Sequence, residues 1–286
     1  MSEAELKSAS KGVLYVVATP IGNMQDMTAR AIEVLGQVDL IACEDTRRAG
    51  LLTGHFAIKT TLLALHDHNE EQAAGGLIKK LRNGQNIALI SDAGTPLISD
   101  PGYKLLQRVI SAGISVVPIP GACALIAALS GAGLPTDRFS FEGFMPHKAS
   151  GRVRALELLS DQTATLIFYE SKHRIMETLD LMLQVLGDRR CAIARELTKT
   201  FEQFYRGRLS QVIEQLKADE KNQLGEFVVM LEGNQNPVNP AQKIEQVLFD
   251  RLLQELPPKK AAHITAEITG ADKKALYQQV IDRSRS

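Results

Sequence analysis

The sequence predicts an α/β protein of two domains followed by a small helical tail. Three observations carry this. The chain has 286 residues, and at roughly 150 residues per domain that is room for two cores. Apolar runs of about six residues alternate with helix-length segments through residue 232, the pattern of α/β units around largely parallel sheets. Beyond a breaker-rich stretch, Gly233-Asn234-Gln235-Asn236-Pro237-Val238-Asn239-Pro240, the apolar spacing turns helical.

Taken in order, the first domain (residues 12–120) has strand candidates at Val13–Ala18, Val38–Cys43, Thr61–Leu65, Asn86–Ser91 and Ser115–Ile119. Helical segments fall near residues 26–36, 70–83 and 101–112, giving one five-stranded open sheet. The second domain (121–236) opens with a small-residue helix, Ala122–Leu129. Its strands are expected at Arg138–Phe144, Thr163–Tyr169, Arg189–Arg195, Phe201–Arg208 and Glu226–Glu232, with helices near 151–160, 172–186 and 209–219. A hairpin around Thr198-Lys199 makes this second sheet mixed. In the tail (241–286), Ile244, Val247, Leu248 and Leu252 mark one helix and Pro257-Pro258 opens another. Gly270 stops that second helix, and a third begins at Asp272, giving a shape like a helix-turn-helix.

The composition, 44% hydrophobic and 23% charged, excludes disordered, collagenous and coiled-coil classes. Lys plus Arg (33) balances Asp plus Glu (33), so bulk charge gives no nucleic-acid footprint. From residue 257 onward, however, six basic residues (259, 260, 273, 274, 283, 285) face three acids (267, 272, 282), a local charge of about +3. That surface reads either as RNA-facing or as a solvated cap. Cys43, Cys123 and Cys191 are too far apart for a disulfide framework or a zinc site, which fits a reducing cytoplasm and no bound metal. Residues 1–11 read as a frayed, disordered tail without the apolar segment of a signal peptide, and nothing approaches the roughly 18 apolar residues of a membrane span.

The dinucleotide and nucleoside-triphosphate glycine fingerprints are missing. Ligands of open α/β sheets nevertheless gather at the carboxyl ends of the strands. Four clusters should crowd that rim: Thr19-Pro20-Ile21-Gly22-Asn23, Glu44-Asp45-Thr46-Arg47-Arg48, His66-Asp67-His68-Asn69 and the run Ser91 to Gly102. In the last, glycines permit close backbone approach, and Asp92 or Asp100 can accept hydrogen bonds from a ribose or amine. Asp100 followed by Pro101 also reads as a helix cap. Asp45 and Arg47 can orient a hydroxyl nucleophile or a phosphate, or can simply start a helix. His66 and His68 read as polar rim more readily than as metal ligands. In the second domain, residues 168–174 and 194–200 bring charge to strand ends. His147 to Arg154 is a basic run suited to phosphates or to plain solvation.

The clusters Thr19 to Asn23, Glu44 to Arg47, His66 to Glu70, Ser91 to Gly102, Pro120-Gly121, Phe168 to Ser171, Arg195 to Lys199 and Gly225-Glu226 together resemble the ribosomal-RNA-methylating branch of the tetrapyrrole methylase superfamily. The resemblance runs from about residue 12 to the end of the sequence. It implies two α/β domains of the tetrapyrrole methylase type with S-adenosylmethionine in the cleft between them. It also implies 2′-O-methylation of a cytidine ribose in the decoding region of small-subunit (16S) ribosomal RNA, by a homodimer acting on the RNA within the assembled small subunit. Carried over by position, the cofactor contacts are Ile21, Ala93, Gly94, Thr95, Ile98, Cys123, Ala124, Glu170 and Leu197. Thr95 replaces the superfamily's usual Asp before Pro96, so a hydroxyl stands where a charge is customary.

Positioning and desolvation should dominate such a transfer, with a proton acceptor adding about 10² to 10⁴ in rate. The expected catalytic group is Asp45 as base or orienter, Arg47 on a neighbouring phosphate, and Asp100, His66 or Lys199 on the rim. Two alternatives stay open: a methyltransferase for a corrin or porphyrin precursor, and a non-catalytic RNA-binding assembly factor.

Overall fold

The computed structural model describes residues 11–65, 70–237 and 240–283. The described residues fall into two compact units, one of 11–65, 70–160 and 164–233, the other of 161–163, 234–237 and 240–283.

The first sheet consists of β1 (Val13–Val17), β2 (Leu40–Cys43), β3 (Leu62–Ala64), β4 (Ile87–Ile90) and β5 (Ser115–Ile119), ordered β3-β2-β4-β1-β5. All its pairings are parallel. Every residue of β2 and β4 is buried, as continuous apolar strands require when helices cover both faces. Alternation divides these strands between two cores. Leu40, Ala42, Ile87 and Leu89 pack with α3 (Glu70–Arg82) and α4 (Tyr103–Ser111). Ile41, Cys43, Ala88 and Ile90 pack on the other face with α1 (Ala29–Gln37) and α2 (Thr46–His55).

Strand order then fixes where a ligand can sit. β1 leads through α1 toward β2, whereas its neighbour β4 leads through α4, on the opposite face, toward β5. The two following loops part company there, and a crevice opens between the carboxyl ends of β1 and β4.

The second sheet, β6 (Phe139–Phe144), β7 (Thr165–Ser171), β8 (Arg190–Arg195), β9 (Gln203–Arg208) and β10 (Glu226–Leu231), is ordered β6-β7-β10-β8-β9. Only β6 and β7 run parallel, so the expected mixed sheet is mostly antiparallel. One face is covered by α6 (Ala149–Leu159), α7 (Ile175–Leu186) and α8 (Leu209–Lys217). The other receives α5 (Ala124–Ala132), whose small residues Ala128 and Ala132 let it lie close to Ile167, Ala192 and Val228. Ile21 and Ile98, from the loops after β1 and β4, pack into that same apolar group.

The second unit is a three-helix bundle, α9 (Pro240–Glu255), α10 (Pro258–Thr269) and α11 (Lys273–Arg283), around Phe249, Ala261, Ala262 and Leu276. Pro258 sits in the first turn of α10, and left-handed Gly270 ends it, as the sequence indicates.

Two local expectations need correction. Helix α2 is missing from the helical segments expected from the sequence, although a helix start at Asp45 is one of the two readings of that cluster, and Asp45 does cap it. And Asp100 does not cap α4: the helix begins after Gly102, whose φ of 117° and lack of a side chain make it a turn residue outside the helix.

Candidate cofactor and substrate cleft

The crevice at the switch point is built from backbone first. Thr19 and Gly94 exchange N–H to carbonyl bonds of 2.8 and 3.1 Å, tying the loop after β1 to the loop after β4. Beneath them Ser91 donates its hydroxyl to the carbonyls of Ala93 and Gly94. A cleft of about 420 Å³ opens above this floor, within the range of small-molecule sites.

All nine positions expected to touch a cofactor line this cleft: Ile21, Ala93, Gly94, Thr95, Ile98, Cys123, Ala124, Glu170 and Leu197. Thr95 donates its hydroxyl to the carbonyl of Ala122 at 3.0 Å, fastening the loop after β4 to the segment that leads from β5 into α5. Glu170 differs in kind, because its carboxylate is buried and occupied by Arg174, Thr178 and the Ser171 N–H. At this position the backbone is left to face the cleft.

Two of the loops carry backbone strain. Leu97 and Ser99, on either side of Ile98, have φ of 74° and 70°, and Glu196 and Thr198, on either side of Leu197, have φ of 50° and 65°. Each left-handed non-glycine residue costs on the order of 1–3 kcal/mol, a cost that clusters where surroundings over-determine a functional geometry. Both central residues pack against the α5 group.

The polar lining is acid-rich. Glu44, Asp92, Asp100 and Glu226 face it, against Arg48 and Lys199. Burial pushes the Asp100 carboxyl up to about 6, reinforced by the nearby Glu44 charge. Lys199 sits 2.9 Å from both Glu196 and Glu226. Burial works against its charge, but those two carboxylates overrule it and raise the ammonium above its ordinary value. Tyr169, against which Phe141 and Phe144 rest edge-on, accepts the Leu125 N–H at its hydroxyl and is pushed by burial up to about 12. Apolar walls, exposed backbone and surplus carboxylates fit a ligand that joins an aromatic ring to a cationic centre.

The expected catalytic residues are only partly brought together. Asp100 and Lys199 line the cleft. Asp45 and Arg47 line neither it nor the cavity beside it. The Asp45 carboxylate caps α2 through the Arg47 N–H at 2.8 Å, and the Arg47 guanidinium holds both of its oxygens. Those bonds lower its pKa to about 2, leaving it a poor proton acceptor. The Arg47 side chain itself is 89% exposed. His66 lies outside the described residues.

Sequence reasoning passed over Arg48, which lines the cleft and pairs with Asp92 at 3.1 Å. Asp92 also accepts the Asp45 N–H, so it joins the ends of β2 and β4. The signal was Asp45 as an N-cap, which sets Arg47 and Arg48 on different faces of one helix. Among the described residues no group of three or more His, Cys, Asp or Glu is placed to hold a metal ion.

Residues 13–213 match the family described as Tetrapyrrole (Corrin/Porphyrin) Methylases, and residues 241–284 match the RsmI C-terminal HTH domain. The chain is 50% identical over 286 residues to Ribosomal RNA small subunit methyltransferase I of Escherichia coli O157:H7, covering 99% of each chain. It is 52% identical over 270 residues to the protein of that name from Haemophilus influenzae, covering 93% of this chain and 95% of that one. Among solved structures, uroporphyrin-III-C-methyltransferase from Thermus thermophilus superposes with a TM-score of 0.55 at 20% identity, over 78% of this chain and 94% of that one. Diphthine synthase does so with a TM-score of 0.58 at 15% identity, over 77% and 89%. At such identities the two structures speak for the fold.

Proposed function

The chain belongs to the tetrapyrrole (corrin/porphyrin) methylase family, and we propose that it methylates the 2′-oxygen of a cytidine ribose in the decoding region of small-subunit ribosomal RNA. The observation that carries this reading is its identity of about half with relatives named for small-subunit ribosomal RNA methylation, over essentially the whole chain and including the helical tail. The methyl donor is S-adenosylmethionine, which when bound supplies a methyl group activated by a sulfonium.

The protein's part is positioning, exclusion of water and handling of one proton. Ile21, Ile98 and Leu197 wall the cleft, and the Gly94-Thr95 backbone borders it. The surplus of carboxylates favours a positively charged guest. Asp100 is the group that takes the proton from the ribose hydroxyl, since its carboxyl titrates just below neutrality and so is ionised yet basic at working pH. Lys199, held protonated by its two carboxylates, offers a fixed positive charge. The basic first turns of α10 and α11 supply the RNA-facing surface of the tail. The working enzyme is a cytoplasmic homodimer acting on the assembled small subunit.

The test is transfer of labelled methyl from S-adenosylmethionine to three acceptors: small subunits lacking the modification, free ribosomal RNA, and a porphyrin precursor. Label on the subunits alone is the expected result. Label on the porphyrin alone moves the enzyme to the other branch of its family, and cofactor binding without transfer to any acceptor makes it an assembly factor.

A further inference from the structure

A second cavity, of about 290 Å³, lies beside the cleft, between the loop after β1 and the start of α2. Ile21, Arg48, Asp92, Ala93, Lys199 and Glu226 line both spaces, which therefore adjoin. Its remaining surface is of another kind. Leu52, Ala49 and Ile90 form a buried apolar floor, while Met24 and Leu51 stand at the rim, 37% and 74% exposed. Leu51 is an apolar side chain held in water on a helix whose own core is filled by Ala49 and Leu52.

Resting on the RNA reading above, we propose that this second cavity receives the nucleoside to be methylated, its base against Met24 and Leu51 and its ribose at the shared residues, with the 2′-hydroxyl turned into the cofactor cleft that Asp100 lines. Transfer requires donor carbon and acceptor oxygen to be about 3–3.5 Å apart, so the acceptor must occupy a space that opens directly on the cofactor cleft. This cavity adjoins that cleft, with six lining residues in common. Its volume suits a single nucleoside, whereas a tetrapyrrole macrocycle is several times larger. For its base to enter this cavity the nucleotide must be splayed out of its stack, as bases of single-stranded loops are when proteins recognise them.

The chemistry of the rim agrees with a nucleobase. The thioether and isobutyl groups of Met24 and Leu51 offer van der Waals contact to a ring face. Arg48, with its side chain 68% exposed, is placed for the flanking phosphate, the role that sequence reasoning gave to Arg47.

The experiment uses the full-length enzyme with Leu51→Trp and Met24→Trp, each filling the cavity from a residue that does not line the cofactor cleft. A third variant, Leu51→Ala, removes the apolar surface without adding bulk. Measured are KM for unmodified small subunits and Kd for S-adenosylmethionine by calorimetry. The tryptophan variants are expected to raise KM about tenfold or more, and Leu51→Ala by about threefold to tenfold, in line with the removal of one base-packing side chain. Cofactor Kd should stay within about twofold. Unchanged KM in all three variants overturns the assignment, as does a matching loss of cofactor affinity, which would make the cavity part of the cofactor site. Wild-type enzyme that leaves subunits unmethylated brings down the RNA reading itself and this assignment with it.

Discussion

Two carboxylates, Asp45 and Asp100, look alike in the sequence, and their surroundings separate them. Asp45 is engaged as a helix cap and paired with Arg47, which lowers its pKa to about 2. Asp100 is half-buried among other acids and raised from 3.8 to about 6. Turnover should therefore fall as pH drops through about 6, where Asp100 takes up a proton and ceases to accept one. Asp100→Asn should lower kcat by about 10² to 10⁴ and leave cofactor affinity nearly unchanged. Stability moves the other way. A carboxyl whose folded pKa is raised contributes stability that is complete below its unfolded value and lost as pH rises through the folded one. At pH 7 the Asn variant should accordingly melt higher than the wild type, a comparison that calorimetry makes directly. Asp45→Ala should lower the melting temperature modestly through the missing cap and leave kcat within about twofold; a large drop in kcat would return Asp45 to the chemistry. The apolar and backbone contacts of the site were legible because resemblance fixes them by position. The choice between Asp45 and Asp100, both candidates in the sequence, was not, because a pKa is set by burial and neighbours that only the folded chain reveals.

Among the elements, the strands announce themselves. Runs such as Leu40–Cys43 and Ile87–Ile90 are apolar at every position because both of their faces are covered. Helix α2 was silent for the opposite reason. Its sequence, TRRAGLLTGH, carries two glycines and a short apolar face, and its stability comes from the Asp45 cap and from Ala49 and Leu52 packing beneath the sheet. Asp100-Pro101 sent a false signal, since local cap chemistry is overridden when the loop must turn back to line a cleft. The strained loop around Leu197 is the element most exposed to substitution. Gly225 has φ of 103°, and a Cβ there would lie 2.6 Å from the Glu196 carboxylate. Across the same loop, a Cβ on Gly22 would meet Lys199 Cγ at 2.6 Å. Gly225→Ala should push Glu196 away from Lys199 and weaken S-adenosylmethionine binding by about tenfold, because one such displacement costs on the order of 1–2 kcal/mol. Calorimetric Kd at wild-type levels would show that this loop tolerates movement.

For the molecule as a whole, charge distribution says more than net charge. The chain is neutral, yet α10 and α11 place exposed Lys259, Lys260, Lys273 and Lys274 in their first turns. Cations are unfavourable at that end of a helix dipole, so the pattern makes physical sense where phosphates meet the helix ends. Replacing all four by Ala should weaken RNA binding and flatten its dependence on salt, by roughly one power of salt concentration for each phosphate no longer neutralised. S-adenosylmethionine affinity should not change, because the cofactor cleft is lined entirely by residues of the other unit. The tail's three helices were readable from Pro258, Gly270 and the apolar period, although Ile244 and Val247 proved exposed while Phe249 fills the core.

The most direct test is of the product. Small-subunit RNA from cells lacking this gene, and from the same cells carrying the wild type or Asp100→Asn, can be digested to nucleosides and analysed by mass spectrometry. A 2′-O-methylated cytidine should be missing without the gene, restored by the wild type and strongly reduced with Asp100→Asn. An unchanged level of ribose-methylated cytidine without the gene, or a methyl group found on a base instead of a ribose, would contradict the account.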